Sequence, residues 1–236
     1  MLQQTQVDRV GPRYTRFLNR FPTIESLANA SLRDVLEEWS GLGYNGRGRR
    51  LWEAARIISE AGWPGTSEGL RTLPGVGPYT AAAVASFAFG RREAAIDTNL
   101  RRVLSRWEGR VLGGTELRRN AAAMVPEESA DWNQAIMDLG TAICRTREPR
   151  CEICPVEKWC SDPAIAPPVP RQGRFEGSRR QIRGRVLRLL GEVDSASERE
   201  LARNLPAEPC DLEGALDTLV REGLISVENG RFRLGE

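Results

Sequence analysis

Apolar positions recur at helical spacing from the first residues onward. Val7, Val10, Tyr14, Phe17 and Phe21 fall on one stripe, which predicts an amphipathic helix over residues 2–20. No capping residue precedes the stripe, so the helix starts in mid-pattern at Met1 and an upstream continuation is expected. Pro22 ends it, Thr23 opens a short helix (IESLANA), and Ser31-Leu-Arg-Asp34 reads as a capping box before VLEEW. GLGYNGRGRR (41–50) is a turn running into a helix that ends near Ala61. Leu73 to Thr80 (LPGVGPYT) is a tight turn between two helices. Further helices are expected from Thr98 to Trp107, over 115–125 and over 131–143.

Proline and glycine then break the pattern, and residues 164–178 read as a linker. Beyond it, Ile182, Val186, Leu189 and Leu190 mark one helix, Ser197-Glu-Arg-Glu200 caps a second, and Leu212 to Glu222 make a third. Leu-Ile-Ser-Val, the turn Glu228-Asn-Gly230 and Arg-Phe-Arg-Leu read as a hairpin with an Asn-Gly turn. The whole predicts an all-α protein with a small C-terminal β-hairpin, in which residues 179–236 form a winged-helix-like module.

Composition narrows the chemistry. At 236 residues, 40% hydrophobic and 28% charged, the chain suits one large globular domain or two modest ones, and disorder, collagen and coiled coil are excluded. The longest apolar run, AAAVASFAF (81–89), is far shorter than the ~18 residues that span a bilayer, so no membrane association is expected. The start, MLQQTQVDRV, has no signal-peptide pattern, and a cytoplasmic location follows as an expectation. A net charge of +2 says nothing about partners. There is no His, which removes His triads, His ligands and His general acids; of 34 basic residues only Lys158 is Lys. An enzyme here works through carboxylates, Cys, Tyr or a metal, with a single lysine available for Schiff-base chemistry.

Three patterns carry that chemistry. Gly75-Val76-Gly77 lets the backbone approach a ligand, and the amides opening the next helix suit a phosphate oxygen. In full, LPGVGPYTA is the helix-hairpin-helix signature of proteins that hold DNA without reading its sequence. Asp97 stands between a short apolar run and a helix start, where an N-cap is the ordinary structural role. Cys144-x6-Cys151-x2-Cys154-x5-Cys160 suits a cubane 4Fe-4S cluster, with zinc as the alternative; zinc ribbons usually show two C-x2-C pairs and this run has one. Arg145, Arg147 and Arg150 lie inside that loop and could grip a phosphate backbone. Cys210, far from the cluster, reads as a bystander.

Together these motifs resemble the helix-hairpin-helix DNA glycosylases with an iron-sulfur cluster, the endonuclease III superfamily. MLQQTQV, GLGYNGRGR, LPGVGPYTA, AIDTN and the cysteine run are most similar to the MutY-type adenine glycosylases, over roughly residues 1–163. The resemblance implies a helix-hairpin-helix domain at 1–104 and an iron-sulfur cluster domain at 105–163, with the linker at 164–178 and the winged-helix-like module at 179–236 following from the residue pattern. It implies a monomer that flips a mispaired base out of duplex DNA. Asp97 would stabilise the cationic deoxyribose as the glycosidic bond breaks. Gln3, Gln4 and Thr5 would contact DNA, Gln4 as the wedge in the vacated stack. Tyr44 would intercalate beside the opposite base, and the amides around Gly75, Val76 and Gly77 would hold a phosphate.

Three departures qualify the resemblance. The family's general acid is a Glu two residues before the Met that opens this chain, so the chain as it stands is expected to show little or no excision. Tyr79 occupies the position where lyase members carry the Lys nucleophile, which implies a monofunctional enzyme. Tyr79 also favours thymine or uracil opposite guanine, while MLQQTQV and GLGY favour adenine opposite guanine or 8-oxoguanine. Residues 179–236 replace the family's Nudix-like domain; the segment from Arg171 to Arg188 carries seven Arg against Glu176 and could track phosphates. A non-catalytic iron-sulfur DNA-binding regulator is the alternative from another class.

Overall fold

The computed structural model describes residues 1–2, 5, 7–169, 173–205 and 209–235, apart from the side chains at 209 and 210. Gln3, Gln4 and the thiol of Cys210 therefore lie outside the described residues. In chain order the helices are α1 (Val7–Arg20), α2 (Ile24–Ala28), α3 (Leu32–Trp39), α4 (Gly46–Ala61), α5 (Ser67–Leu70), α6 (Pro78–Phe89), α7 (Thr98–Trp107), α8 (Gly114–Met124), α9 (Ser129–Asp138), α10 (Arg179–Glu192), α11 (Glu198–Asn204) and α12 (Pro209–Arg221). Three short strands, β1 (Ala196–Ser197), β2 (Ile225–Glu228) and β3 (Arg231–Leu234), make one antiparallel sheet in the order β1-β3-β2.

Local chemistry sets most of the boundaries. α1 begins at Val7, later than the residue 2 that the apolar spacing suggests. Thr23 and Ser26 cap α2 reciprocally, as do Ser197 and Glu200 at α11. The box expected at Ser31 is only half formed: Ser31 Oγ accepts from the Asp34 amide, but the Asp34 carboxylate reaches the Ser31 hydroxyl instead of its backbone. Asn229 and Gly230 both take positive φ, +50° and +72°, as a two-residue hairpin turn requires. β1 is too short to leave a pattern, and the sequence does not announce it.

The chain divides into two compact units that cut across the predicted spans 1–104, 105–163, 164–178 and 179–236. One comprises residues 1–62 with 172–236, the other residues 63–171. In the first, Phe17, Phe21, Val35, Trp39 and Ala55 form one core. A second core joins Leu32 and Leu36 of α3 to Val186, Leu190, Leu201, Leu216 and Leu219, with Trp52 packed against both. Arg33 donates to the carbonyl of Gly191, and Arg183 grips the Glu222 carboxylate with both Nη atoms. The C-terminal helices and sheet thus share a core with α3 instead of standing alone.

In the second unit, Leu100, Val103 and Leu104 of α7 pack with Leu112, Leu117, Ala121 and Ile136. α6 is apolar all round and packs through small residues, Ala81, Ala82, Ala85 and Ser86. The helix expected over 131–143 opens after Asp138 into a π-helical turn, Leu139–Ile143, and two 3-10 turns follow at 151–153 and 157–159. Such turns often accompany functional sites.

Candidate functional site

A buried polar clamp sets the approach to Asp97. Asn133 accepts from the amide of Ala95 at 2.9 Å and donates to the carbonyl of Glu93 at 2.8 Å and to Ser86 Oγ at 3.0 Å. Ser129 Oγ holds the carbonyl of Arg91 at 2.7 Å. The segment is thereby fixed before it turns into α7. Asp97 is the N-cap of that helix: Oδ1 accepts from the Leu100 amide at 2.7 Å, and Oδ2 accepts from Asn99 Nδ2 at 3.0 Å. The helix N-terminus favours its negative charge. The structural role and the proposed chemical one fall on the same carboxylate.

Tyr79 sits in the first turn of α6. Gly77 is the N-cap and Pro78 the first helical residue, where its fixed φ and missing N–H cost nothing. Gly75 has φ +78°, which a side chain would strain, and the Val76 amide closes the turn onto the Leu73 carbonyl. Gly75 and Gly77 are exposed, and a Cβ at Gly77 would meet nothing within 4 Å, so the backbone is open to a large ligand. The Tyr79 hydroxyl donates to Met137 Sδ at 3.6 Å. Burial, and then the Asp97 carboxylate, push the phenol above its ordinary range. The structure brings Tyr79 and Asp97 into one electrostatic neighbourhood.

Two buried arginines of α7 connect this point to the cysteine loop. Arg102 donates to Asn99 Oδ1 at 2.9 Å, to the Gly140 carbonyl at 2.6 Å and to the Cys144 carbonyl at 2.8 Å. Gly140 opens the π turn against Asn99; a Cβ there would lie 2.6 Å from that of Asn99. Arg106, 2% exposed, donates to the carbonyls of Ile165 and Arg145 and to Cys144 Sγ at 3.1 Å. Its own carbonyl accepts from the amides of Ser161 and Asp162. Cys144, Cys151, Cys154 and Cys160 line a single cavity of about 140 Å³ together with Arg106. Among the described residues, no three His, Cys, Asp or Glu side chains converge on one ion position. Arg145 reaches back to the Glu148 carbonyl, while Arg147 is exposed.

The first unit holds the other expected contacts. Tyr44 is 40% exposed and takes φ +48°, unusual for a residue with a side chain. Arg47 lies over the rings of Tyr44 and Trp39, at 5.5 and 5.6 Å, and donates to Thr5 Oγ1 at 3.1 Å. Thr5 in turn donates to the Leu42 carbonyl. Arg180 of α10 donates to the Tyr44 hydroxyl at 3.0 Å.

Sequence reasoning missed Asn99, Arg102, Arg106, Gly140 and Arg47. A signal existed for two of them: Arg102 and Arg106 stand four residues apart among the core positions Leu100, Val103 and Leu104.

The comparisons agree with this geometry. Residues 1–121 match the model of the HhH-GPD superfamily base excision DNA repair proteins. An adenine DNA glycosylase of Mycolicibacterium smegmatis is 37% identical over 99% of this chain and 84% of its own length. The Homo sapiens adenine DNA glycosylase is 45% identical over 68% of this chain and 31% of its length. A solved thermostable thymine-DNA glycosylase superposes with a TM-score of 0.64 at 31% identity, covering 68% of this chain and 78% of its own. The match over residues 1–121, with 37% identity to a relative over 99% of the chain, makes the protein a member of the HhH-GPD superfamily of base excision DNA repair proteins.

Proposed function

We propose that the protein is a monofunctional DNA glycosylase that hydrolyses the N-glycosidic bond of adenine mispaired with guanine or 8-oxoguanine in duplex DNA. The observation that carries this reading is the Asp97 carboxylate, fixed on both oxygens beside Tyr79 and the glycine turn. As the bond from C1′ to the base breaks, positive charge builds on the deoxyribose, and a held carboxylate stabilises it without reorganising. The departing base nitrogen takes up a proton, and water bonds to C1′ and gives one up, which leaves free base and an abasic sugar. The exposed glycines suit a phosphate oxygen of the distorted strand. The relatives named above as adenine DNA glycosylases support the choice of base and count against a non-catalytic regulator.

No lysine is available at the hairpin for a Schiff base. Lys158, the only one in the sequence, stands 4.2 Å over the Trp159 ring in the cysteine loop. The product is therefore an intact abasic site. A second reading, removal of thymine or uracil opposite guanine, is favoured by Tyr79 and by the thymine-DNA glycosylase likeness.

The cysteine cavity fits an iron-sulfur cluster. Four cysteines line a space of about 140 Å³, and a buried guanidinium lies 3.1 Å from one sulfur, where it would offset the negative charge of a thiolate-ligated cluster. A single zinc would draw its sulfurs to ~2.3 Å from one point. Cys144, Cys151, Cys154 and Cys160 would hold the cluster, which would brace the loop bearing Arg145 and Arg147. Helices α10 to α12 with the small sheet have the composition of a winged-helix module.

The test is release of free base from duplexes carrying A opposite G, A opposite 8-oxoguanine, T opposite G and U opposite G, with borohydride trapping in parallel. Whatever base is released should be adenine, with no trapped adduct. Preferential release of thymine or uracil would establish the second reading, and a trapped adduct would overturn the monofunctional assignment.

A further inference from the structure

The C-terminal helices and sheet carry their charges in an unexpected place. In a winged-helix arrangement the third helix reads the major groove. Here that helix is α12, and its surface is acidic: Glu213 and Asp217 are exposed, Asp211 is half-buried, and Arg221 is its one basic residue. The sheet offers no compensation. Arg231 is engaged with Ser195 and Glu200, and Arg233 with Glu228. A phosphate backbone brought to this face would meet like charge.

The first helix of the group is the reverse. α10 buries Ile182, Val186, Leu187 and Leu190, and ties down Arg183 through Glu222. On the opposite side, Gly184 and Arg188 are exposed and Gln181 and Arg185 half-buried, at helical spacing. Arg185 and Arg188 make no hydrogen bond or ion pair among the described residues. Gly184 is exposed and a Cβ there would meet nothing within 4 Å, which leaves a low saddle between the arginines. At the head of this face, Arg180 bonds the hydroxyl of Tyr44 and the carbonyl of Gly173. From Arg180 to Arg188 the helix rises roughly 12 Å, the span of a few phosphates at 3.4 Å of axial rise each.

We propose that the exposed face of α10, continuous with the Tyr44 loop through the Arg180–Tyr44 contact, is a track for the sugar–phosphate backbone of duplex DNA, and that the acidic α12 faces away from it. The C-terminal group is then a sequence-blind grip on the flanking duplex instead of a groove reader. That suits a protein acting on lesions in any sequence. The proposal rests on the reading of the chain as a DNA-acting protein, but not on its catalytic competence.

The test uses the full chain and a lesion-free duplex, with binding followed by fluorescence anisotropy from 50 to 200 mM salt. Arg185→Ala with Arg188→Ala should weaken binding on the order of 10-fold or more near 0.1 M salt. It should also lower the slope of log K against log salt by about 1.8, at ~0.9 per phosphate contact. The loss should be equal for duplexes of unrelated sequence. An unchanged slope overturns the proposal, provided the variant melts like the parent. Glu213→Gln with Asp217→Gln tests the opposite face: it should leave the affinity within about twofold, and a gain as large as the arginine loss would place DNA against α12. Because the readout is binding, failure of base release would sink the function proposed above and leave this result standing.

Discussion

The side-chain amide of Asn99 donates to Oδ2 of Asp97 at 3.0 Å, while its own Oδ1 accepts from the buried Arg102 at 2.9 Å. The aspartate is thus held by a residue that is itself tied to the cysteine loop through Arg102, and its capping can be separated by substitution from the charge stabilisation proposed for it.

Asp97→Asn retains a good cap, since Asn and Asp rank together at this position. Thermal stability should stay close to that of the parent while base excision falls by at least about 10²–10³-fold, the cost of losing a preorganised charge partner. Affinity for mismatched duplex should persist. Asp97→Ala should lose excision equally and about 1 kcal/mol of stability as well. Melting curves and single-turnover excision together check this; an Asn variant that excises normally would refute the role of Asp97.

Gly140→Ala places a methyl 2.6 Å from Asn99 Cβ. Asn99 must move, and Asp97 loses its lateral bond. Overpacking of this kind costs about 1–3 kcal/mol, and displacement of the carboxylate should slow excision by about 10- to 100-fold. The rate at saturating enzyme is the readout, because DNA affinity should change little.

The Tyr79 phenol titrates above its ordinary range, through burial first and the Asp97 carboxylate second. A neighbouring anion disfavours the phenolate, so Asp97→Asn should lower the midpoint. Burial is the larger cause, so the midpoint should still stay above that of free tyrosine. The folded state holds the proton more tightly, so this contribution to stability is complete below the ordinary phenol range and is lost as pH rises through the shifted value. Ultraviolet titration of the parent and of Asp97→Asn, each against Tyr79→Phe, resolves the residue.

Leu190→Ala opens a cavity at a position with no exposure, in the core shared with Leu32 and Leu36. A loss of about 2–5 kcal/mol is expected. Hydrogen exchange should quicken in α3 as well as α10; unchanged protection of α3 would show that the two do not share a core.

What the sequence revealed and what it hid divide along a physical line. Local motifs are what a sequence shows best: Asp97 caps α7, Gly75 takes the positive φ of a tight turn, Asn229 and Gly230 close a hairpin, and the four spaced cysteines line one cavity. The spacing of Arg102 and Arg106 among core positions hints at their burial, but not at what they hold, because their acceptors come from the cysteine loop, such as the Cys144 carbonyl 42 residues along the chain. The π turn was hidden for a related reason: it depends on how close Gly140 comes to Asn99. The Pro-rich stretch reads as a spacer, yet composition says nothing of where the following helices dock, and they dock on α3.

That docking has a bearing on how the chain is made. Arg33 finds the Gly191 carbonyl 158 residues later, and Leu32 finds Leu190 and Leu219 in the same core. During synthesis from the amino end, α3 must keep an apolar side uncovered until the last helices leave the ribosome. Residues 63–171, whose own core is complete by Ile136, can settle earlier. Residues 1–62 and 172–236 therefore mature together, and a ribosome that stalls before α10 to α12 emerge would leave residues 63–171 settled and α3 uncovered.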